Sequence, residues 1–236
     1  MKETSELSAA QEGRRFWASF LLPTLFVAAL CFFKMAETWS GISLVSWGIY
    51  PRTREGLIGI LTAPLVHGDW EHLFSNAVPL IALGGLAIHT YRIVAIPMLL
   101  FIYLMSGLGI WLMGRTSHHI GASGIVYGLA FFIFFSGIFR RDTRSMALAA
   151  IVVMFYGSMV WGLLPLVDGI SWEGHIAGAL AGVASAYYAR NINLPPAHQW
   201  ADDTANNNNN DDDPLNAKEY PFWIAQQSDL YDNEYS

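Results

Sequence analysis

Residues 93–114 read IVAIPMLLFIYLMSGLGIWLMG, a long run of apolar side chains without a single charged group. As an α-helix this run would be about 33 Å long, enough to cross a bilayer hydrocarbon core of about 30 Å. Five further apolar stretches accompany it, at residues 16–34, 72–90, 121–139, 145–165 and 174–190. We therefore predict an all-α fold, a polytopic membrane helix bundle of six transmembrane helices. The sixth stretch is short and rich in Gly and Ala, which favours a position inside the bundle.

The overall composition is also that of a membrane protein. Hydrophobic residues make up 53% of the 236 residues and charged residues 14%, whereas soluble domains carry roughly 25% charged residues. The net charge of -6 is uneven, because residues 201–236 hold nine acidic residues against one base, Lys218. The rest of the chain carries 12 basic and 10 acidic residues. Without a basic face, a nucleic-acid partner is excluded, and the single cysteine excludes an intrachain disulfide.

Three regions follow from these patterns. Residues 1–15 form a short N-terminal segment, residues 16–194 form the six-helix membrane domain, and residues 195–236 form an acidic tail. The tail contains an Asn run at residues 206–210 followed by three Asp residues, a solvated low-complexity composition. We predict that this tail is disordered.

A long segment at residues 35–71 separates the first two predicted helices. It contains Trp39, Trp47, Tyr50 and Trp70, and aromatic residues of this kind favour the membrane–water interface. We interpret the segment as a folded loop at the outer face of the membrane. A plain extracellular loop is the alternative.

The distribution of Lys and Arg predicts the orientation of the bundle. With the N-terminus inside the cell, nine basic residues fall on the inner side and four on the outer side. Three of the nine, Arg140, Arg141 and Arg144, lie in one short loop. This asymmetry satisfies the positive-inside rule and predicts that both termini are cytoplasmic.

Strongly polar side chains begin three of the predicted helices. His72 and Asn76 lie at the start of the second helix, Ser123 at the start of the fourth, and His175 at the start of the sixth. In the predicted orientation these helices all run from outside to inside, so the polar side chains share one depth. Polar groups inside a membrane bundle are costly and tend to be functional. We therefore expect one shared site near the outer face.

The residue types in this group suit nucleophilic catalysis. A serine hydroxyl needs a base to remove its proton, and His175 could serve Ser123 in that way. His72 and Asn76 are four residues apart, hence on one helix face, and both can donate hydrogen bonds to an oxyanion. The apolar stretches contain no Asp or Glu suited to orient the histidine, which predicts a Ser-His dyad rather than a triad.

Further residues are expected to support this site. Tyr127 lies one helical turn after the serine and could pack against the ring of His175. Gly178 and Gly182 make a stripe of small residues that would let another helix approach closely.

The remaining histidines and acids have simpler interpretations. His67 is expected to be structural, bonded to a loop carbonyl. His118 and His119 resemble metal ligands, but no carboxylate or cysteine joins them with ligand spacing, so no metal site and no cofactor are predicted. Glu71 and Glu173 are expected to face water at the interface.

Together these residues resemble the rhomboid family of intramembrane serine proteases. The resemblance covers roughly residues 16–190, and its motifs fall on the second, fourth and sixth helices. They are the Gly-Ala-Ser-Gly motif that begins at Gly121, Tyr127, the group His175, Gly178 and Gly182, and the pattern His67…His72…Asn76. One departure is that Trp39 precedes Ser40, where bacterial members often carry a Trp-Arg pair.

The resemblance implies a serine endopeptidase of the bacterial inner (plasma) membrane. Ser123 and His175 would form the dyad, with His72, Asn76 and the Ser123 backbone N–H around the oxyanion. Substrates would be single-span membrane proteins, cut near the outer face. Two other classes stay open: a catalytically inactive rhomboid-like protein that binds membrane helices, and a small transporter. A transporter would use polar groups at the membrane midplane, whereas these cluster at one face.

Overall fold

A computed structural model describes residues 9–167 and 169–192 of the chain. Within these ranges the only strand-like pairing is an isolated antiparallel bridge between Ile49 and His119. The predicted acidic tail lies outside the described residues. The α-helices are α1 (Ala9–Ser19), α2 (Leu21–Ser40), α3 (Gly59–Thr62), α4 (Trp70–Thr90), α5 (Arg92–Met113), α6 (Ser123–Arg140), α7 (Thr143–Tyr156) and α8 (Trp172–Ala189).

Five helical segments in the described part of the chain are long and apolar enough to cross a membrane. They are Ala10–Ser40, Trp70–Thr90, Arg92–Met113, Ser123–Arg140 and Thr143–Leu163. The sixth predicted helix is α8, whose hydropathy is lowered by polar residues in its first turn, among them Glu173 and His175. Eleven of its 18 residues are buried, and it packs against α5 and α6. The prediction of an all-α membrane bundle is confirmed, and so is the internal position of the sixth helix.

Glycine residues let α6 and α8 approach each other closely. A Cβ atom on Gly178 would overlap the carbonyl oxygen of Gly124, and one on Gly182 would overlap that of Gly128. Backbone therefore lies directly against backbone at two successive turns of the crossing, as the stripe of small residues predicts. The crossing fixes the distance between the first turns of the two helices, where Ser123 and His175 lie.

The first predicted helix is longer than its apolar stretch. It comprises α1 and α2, which are interrupted only at Phe20, and it continues past Lys34 to Ser40. Gly41 ends it in the left-handed conformation, φ 70°, and donates its N–H to the Glu37 carbonyl oxygen at 3.0 Å. Hydropathy alone missed this last part because Glu37 and Thr38 are polar yet compatible with a helix.

The segment that follows, residues 41–69, is folded. It contains the short helix α3 and three single 3₁₀ turns. Ile49 exchanges both backbone hydrogen bonds with His119 at 2.9 Å, and Gly121 donates its N–H to the Ala63 carbonyl oxygen at 3.0 Å. The segment thus holds the loop that leads into α6 and Ser123.

The fifth predicted helix changes its winding before it ends. Regular α-helix stops at Tyr156, and the chain continues as a 3₁₀ segment, Gly157–Leu163. A 3₁₀ helix has three residues per turn and poorer hydrogen-bond geometry, so it leaves carbonyl groups available to side chains. Two carbonyl groups of this segment reach the candidate site.

Candidate active site

Ser123 and His175 lie within hydrogen-bond distance of each other. The Nε2 atom of His175 stands 2.8 Å from the Oγ atom of Ser123. Ser123 is the first residue of α6, and His175 lies in the first turn of α8. The two helices start at the same end of the bundle, which we call the site end, and their glycine-lined crossing brings the two side chains together.

The second ring nitrogen of His175 is bound by the backbone of the 3₁₀ segment. Nδ1 lies 2.7 Å from the carbonyl oxygen of Gly162. A carbonyl oxygen only accepts hydrogen bonds, so Nδ1 carries the proton of the neutral ring and donates it. The lone pair of a neutral ring is then on Nε2 and faces the Ser123 hydroxyl. This tautomer is the one that can take the serine proton.

Tyr127 supports the imidazole from one side. The two rings are stacked, with centroids 4.0 Å apart and an angle of 8° between their planes. The Tyr127 hydroxyl donates to the Met159 carbonyl oxygen at 2.7 Å. Tyr127 and His175 are therefore both attached to the 3₁₀ segment, and His175 is held by a ring face as well as by two hydrogen bonds.

His72 and Asn76 converge on the turn that precedes Ser123. Gly121 in that turn has φ 103°, which favours glycine, and a Cβ atom there would lie 2.7 Å from His72 Nε2 and 3.9 Å from Asn76 Nδ2. Asn76 uses one N–H to donate to the His72 carbonyl oxygen at 2.9 Å. Its second amide N–H has no other partner among the described residues. Both side chains thus lie beside the serine.

These residues line a cavity of about 1100 Å³ at the site end. One wall is α4, with His72 and Asn76, and a second wall comes from Phe155, Tyr156 and Met159. The second wall is apolar and the first is polar. The volume is at the upper end of that of ordinary small-molecule sites, and an extended peptide segment would fit it. A separate void of about 20 Å³, lined by Ser106, His119 and Ser123, has room for one water molecule.

The structure corrects one sequence prediction about the acidic residues. Glu71 is exposed, as expected, but Glu173 is buried with only 3% of its surface exposed. Its Oε1 atom lies 2.7 Å from Arg115 Nε and accepts the Arg115 backbone N–H at 3.2 Å. The prediction for Glu173 was wrong because the loop between α5 and α6 covers the first turn of α8. The ion pair joins the loop before Ser123 to the helix of His175.

The remaining histidines occupy different environments. His67 is buried and packs edge-on against the His72 ring at 5.0 Å. The expected bond to a loop carbonyl has support from the Leu65 backbone, whose hydrogen bond favours the protonated ring. Burial, with His72 nearby as the second cause, lowers the pKa of His67 to about 4. His118 is exposed against Tyr50, and His119 is buried.

Both ring nitrogens of His119 have hydrogen-bond partners within the protein. Its Nδ1 lies 2.6 Å from Ser171 Oγ, and its Nε2 lies 3.0 Å from the Arg115 carbonyl oxygen. Among residues 9–167 and 169–192, no three His, Cys, Asp or Glu residues are grouped so that they could hold a metal ion.

Sequence reasoning missed the two carbonyl groups of the 3₁₀ segment. Backbone groups carry no residue-type signal, so Met159 could not have been found. Gly162 can be recognised by its residue type, since only glycine fits there: a Cβ atom at that position would overlap the Tyr127 hydroxyl. An isolated glycine in an apolar stretch is the signal that could have drawn attention to it.

A comparison with protein families agrees with this geometry. The family model described as the Rhomboid domain matches residues 54–192, which include α4 to α8 and the whole candidate site. The chain belongs to the rhomboid family. With its apolar helices, this membership makes the chain an integral membrane protein.

Relatives of this rhomboid occur in mycobacteria. An uncharacterised protein of Mycobacterium tuberculosis, Rv1337, is 36% identical over 171 residues, which cover 69% of this chain and 71% of the relative. An uncharacterised protein of Mycobacterium leprae, ML1171, is 32% identical over 172 residues, 69% of this chain and 68% of the relative. These similarities support membership of the rhomboid family.

Proposed function

We propose that this rhomboid is an intramembrane serine endopeptidase with a Ser123–His175 dyad. The observation that carries the proposal is the hydrogen-bonded chain from the Gly162 carbonyl through His175 to Ser123, with contacts of 2.7 and 2.8 Å. It supplies an oriented neutral imidazole beside a hydroxyl at a helix N-terminus. Nucleophile, base and orienting group are thus all present, as covalent catalysis requires.

The reaction would proceed in two stages. Ser123 Oγ attacks the scissile carbonyl carbon while His175 Nε2 takes the hydroxyl proton, and the carbonyl oxygen becomes an oxyanion. His72, Asn76 and the Ser123 backbone N–H donate hydrogen bonds to that oxyanion. The imidazolium then gives its proton to the leaving amine, and an acyl-enzyme remains. Water attacks the ester as His175 takes a water proton, and the same proton returns to Ser123 when the acid product leaves.

The cavity suggests the class of substrate. Its apolar wall at Phe155 and Met159 would contact the side chains of a membrane helix, and its polar wall at α4 would contact an exposed peptide backbone. We propose that single-span membrane proteins are cut here, at a position where the helix is locally unwound. The nine-to-four distribution of basic residues supports cytoplasmic termini and a site end directed toward the outer face of the bacterial inner membrane.

Fluorophosphonate labelling tests the dyad directly. Purified protein in detergent or lipid should be labelled at Ser123, and Ser123→Ala should abolish labelling without changing thermal stability. In parallel, the wild type but not Ser123→Ala should cleave members of a panel of co-expressed single-span membrane proteins. A well-folded wild type that neither reacts nor cleaves would instead support a rhomboid-like protein that binds membrane helices without cutting them.

A further inference from the structure

A lysine is buried near the site end of α2, outside the catalytic cavity. Lys34 is 9% exposed, and its ammonium group has three partners. Nζ donates to Glu37 Oε2 at 2.8 Å, to the His67 carbonyl oxygen at 3.0 Å and to the Gly68 carbonyl oxygen at 2.8 Å. An ammonium group has three N–H donors, so every donor is used. A buried charge in an apolar helix costs free energy, so its presence indicates a functional role.

The two carbonyl groups bound by Lys34 lie immediately before α4. The next residue, Asp69, is the N-cap of that helix, and its Oδ1 accepts the backbone N–H of His72 at 2.7 Å. Three consecutive residues are thus held, two by Lys34 and the third by the helix that carries His72. A shift of the segment 67–69 would move the first turn of α4, and His72 with it.

Two further contacts make this attachment rigid. Glu37 uses its other oxygen, Oε1, to accept the Leu44 N–H at 2.8 Å, so the ion pair also fixes the chain that leaves α2. The His67 ring lies against the His72 ring from the same segment. Lys34 lies outside residues 54–192, the part that matches the Rhomboid domain, so the attachment is a feature that the family match does not contain.

We propose that Lys34 is a positioning residue for His72. Its ammonium group, neutralised by Glu37, holds the segment 67–69 so that His72 Nε2 stays beside Gly121 and the oxyanion. The role rests on the proposed protease function, since it assigns Lys34 an effect on the oxyanion donor. A lysine that serves only to join α2 to the bundle would alter stability without acting through His72.

A double-mutant cycle separates these two roles. Lys34→Met keeps an unbranched side chain one atom shorter and removes the charge. We expect it to lower kcat by about tenfold with little change in KM, because misplacement of a transition-state donor affects the chemical step. Arg54→Met is the matched control: it removes an exposed charge from the neighbouring loop and should leave kcat unchanged.

The same substitution is then made in His72→Ala. If Lys34 acts through His72, Lys34→Met should lower kcat less than twofold further in that background. A second tenfold loss there would overturn the proposal. If Lys34→Met does not fold, Glu37→Gln replaces it in the cycle, since it removes the countercharge at nearly constant size.

Hydrogen exchange keeps the proposal testable without activity. In Lys34→Met, the amides of His72 and Leu73, both bound by Asp69, should exchange faster, while those in the middle of α5 should not change. Unchanged exchange at His72 would overturn the positioning role even in an active enzyme. Failure of the wild type to label at Ser123, with the exchange result as expected, would contradict the protease function and leave the attachment itself standing.

Discussion

At the scale of single residues, the candidate site depends on how His175 is oriented without a carboxylate. Its Nδ1–H donates to a neutral carbonyl, that of Gly162, at 2.7 Å. An ionised Asp at this depth would be expensive to bury, whereas a carbonyl of the 3₁₀ segment adds no charge. The carbonyl selects the tautomer, but it stabilises the imidazolium less than a carboxylate would. Catalysis should therefore be sensitive to the protonation of this ring.

Cleavage should weaken as the pH falls through the titration of His175. A protonated ring has no lone pair on Nε2 and cannot accept the Ser123 proton, so the rate of the chemical step declines on the acid side. The measurement is kcat/KM between about pH 5 and 8 in detergent, with thermal stability followed in the same buffers. Protonation of His72 adds a donor, so the acid limb should persist in His72→Asn. A flat profile, when chemistry limits the rate, would contradict His175 as the base.

His67 should make folding stability depend on pH. Its pKa is lowered to about 4 in the folded protein, against about 6.5 for a free histidine. As the pH falls, the ring therefore takes up a proton in the unfolded chain before it does so in the folded protein. The contribution of the neutral ring to the free energy of unfolding is fully present above about pH 6.5 and is lost progressively between about pH 6.5 and 4. The titratable groups that act on the pKa of His67 are His72, Lys34 and Asp69.

Replacement of His67 by Phe tests this. The variant keeps a ring against His72 and removes the proton uptake. Its thermal unfolding temperature should fall less than that of the wild type between pH 7 and pH 4. Parallel curves for the two proteins would show that the ring of His67 does not titrate in this range.

At the scale of elements, the junction between α7 and the 3₁₀ segment determines how Tyr127 and His175 are oriented. The chain leaves α-helical geometry after Tyr156, and two of its carbonyl groups then bind Tyr127 and His175. A continuous α-helix would have used the same carbonyl groups for its own hydrogen bonds. The break thus leaves backbone carbonyl groups free to orient the side chains of the site, and Gly162 keeps room for the two rings.

Gly162→Ala should impair catalysis much more than folding. The added Cβ atom would overlap the Tyr127 hydroxyl and lie 3.3 Å from His175 Nδ1, so the stacked rings must shift. We expect kcat to fall by at least about tenfold, because displacement of a base by a fraction of an ångström already disturbs proton transfer.

The matched control lies in the same segment. A Cβ atom on Gly157 meets only Val153 Cγ1 at 3.9 Å, so Gly157→Ala should keep near wild-type activity. Near wild-type activity in both variants would contradict the orienting role of Gly162. Equal loss in both would point to the flexibility of the segment rather than to the two rings.

At the scale of the whole molecule, every group of the proposed mechanism belongs to the helix bundle. Ser123, His175, His72 and Asn76 come from three helices that start at the site end, and the loops from 41–69 and before α6 are bonded to each other there. The cavity between α4 and the end of α7 is formed within the same part of the chain. All of these contacts lie within residues 9–167 and 169–192.

Deletion of the residues after Ala197 should therefore leave proteolysis intact. The truncated protein should cleave the same single-span substrates at a rate within about twofold of the full chain, with truncated Ser123→Ala as the inactive control. The comparison is made at matched membrane levels, since the tail could influence expression. Loss of cleavage in a correctly folded truncation would assign the tail a role in substrate recognition.

Much of this protein was predictable from its amino-acid pattern. Spans of about 20 apolar residues must become helices because a bilayer leaves backbone groups no other partner. Polar residues at the starts of three such helices were then expected at the same depth in the membrane. This predicted one shared site containing Ser123, His175, His72 and Asn76. Glycine at 178 and 182 predicted the close crossing because an absent Cβ is visible in a sequence.

The rest depended on contacts between distant segments. The carbonyl groups of Met159 and Gly162 orient the site, yet any residue has a carbonyl, and the change to 3₁₀ winding follows from packing rather than from composition. Glu173 is buried, and Lys34 is paired, because loops fold over them, and the hydropathy of a single residue does not report what covers it. Residue types thus specified the helices and the reactive groups, while burial and backbone geometry specified which partners those groups meet.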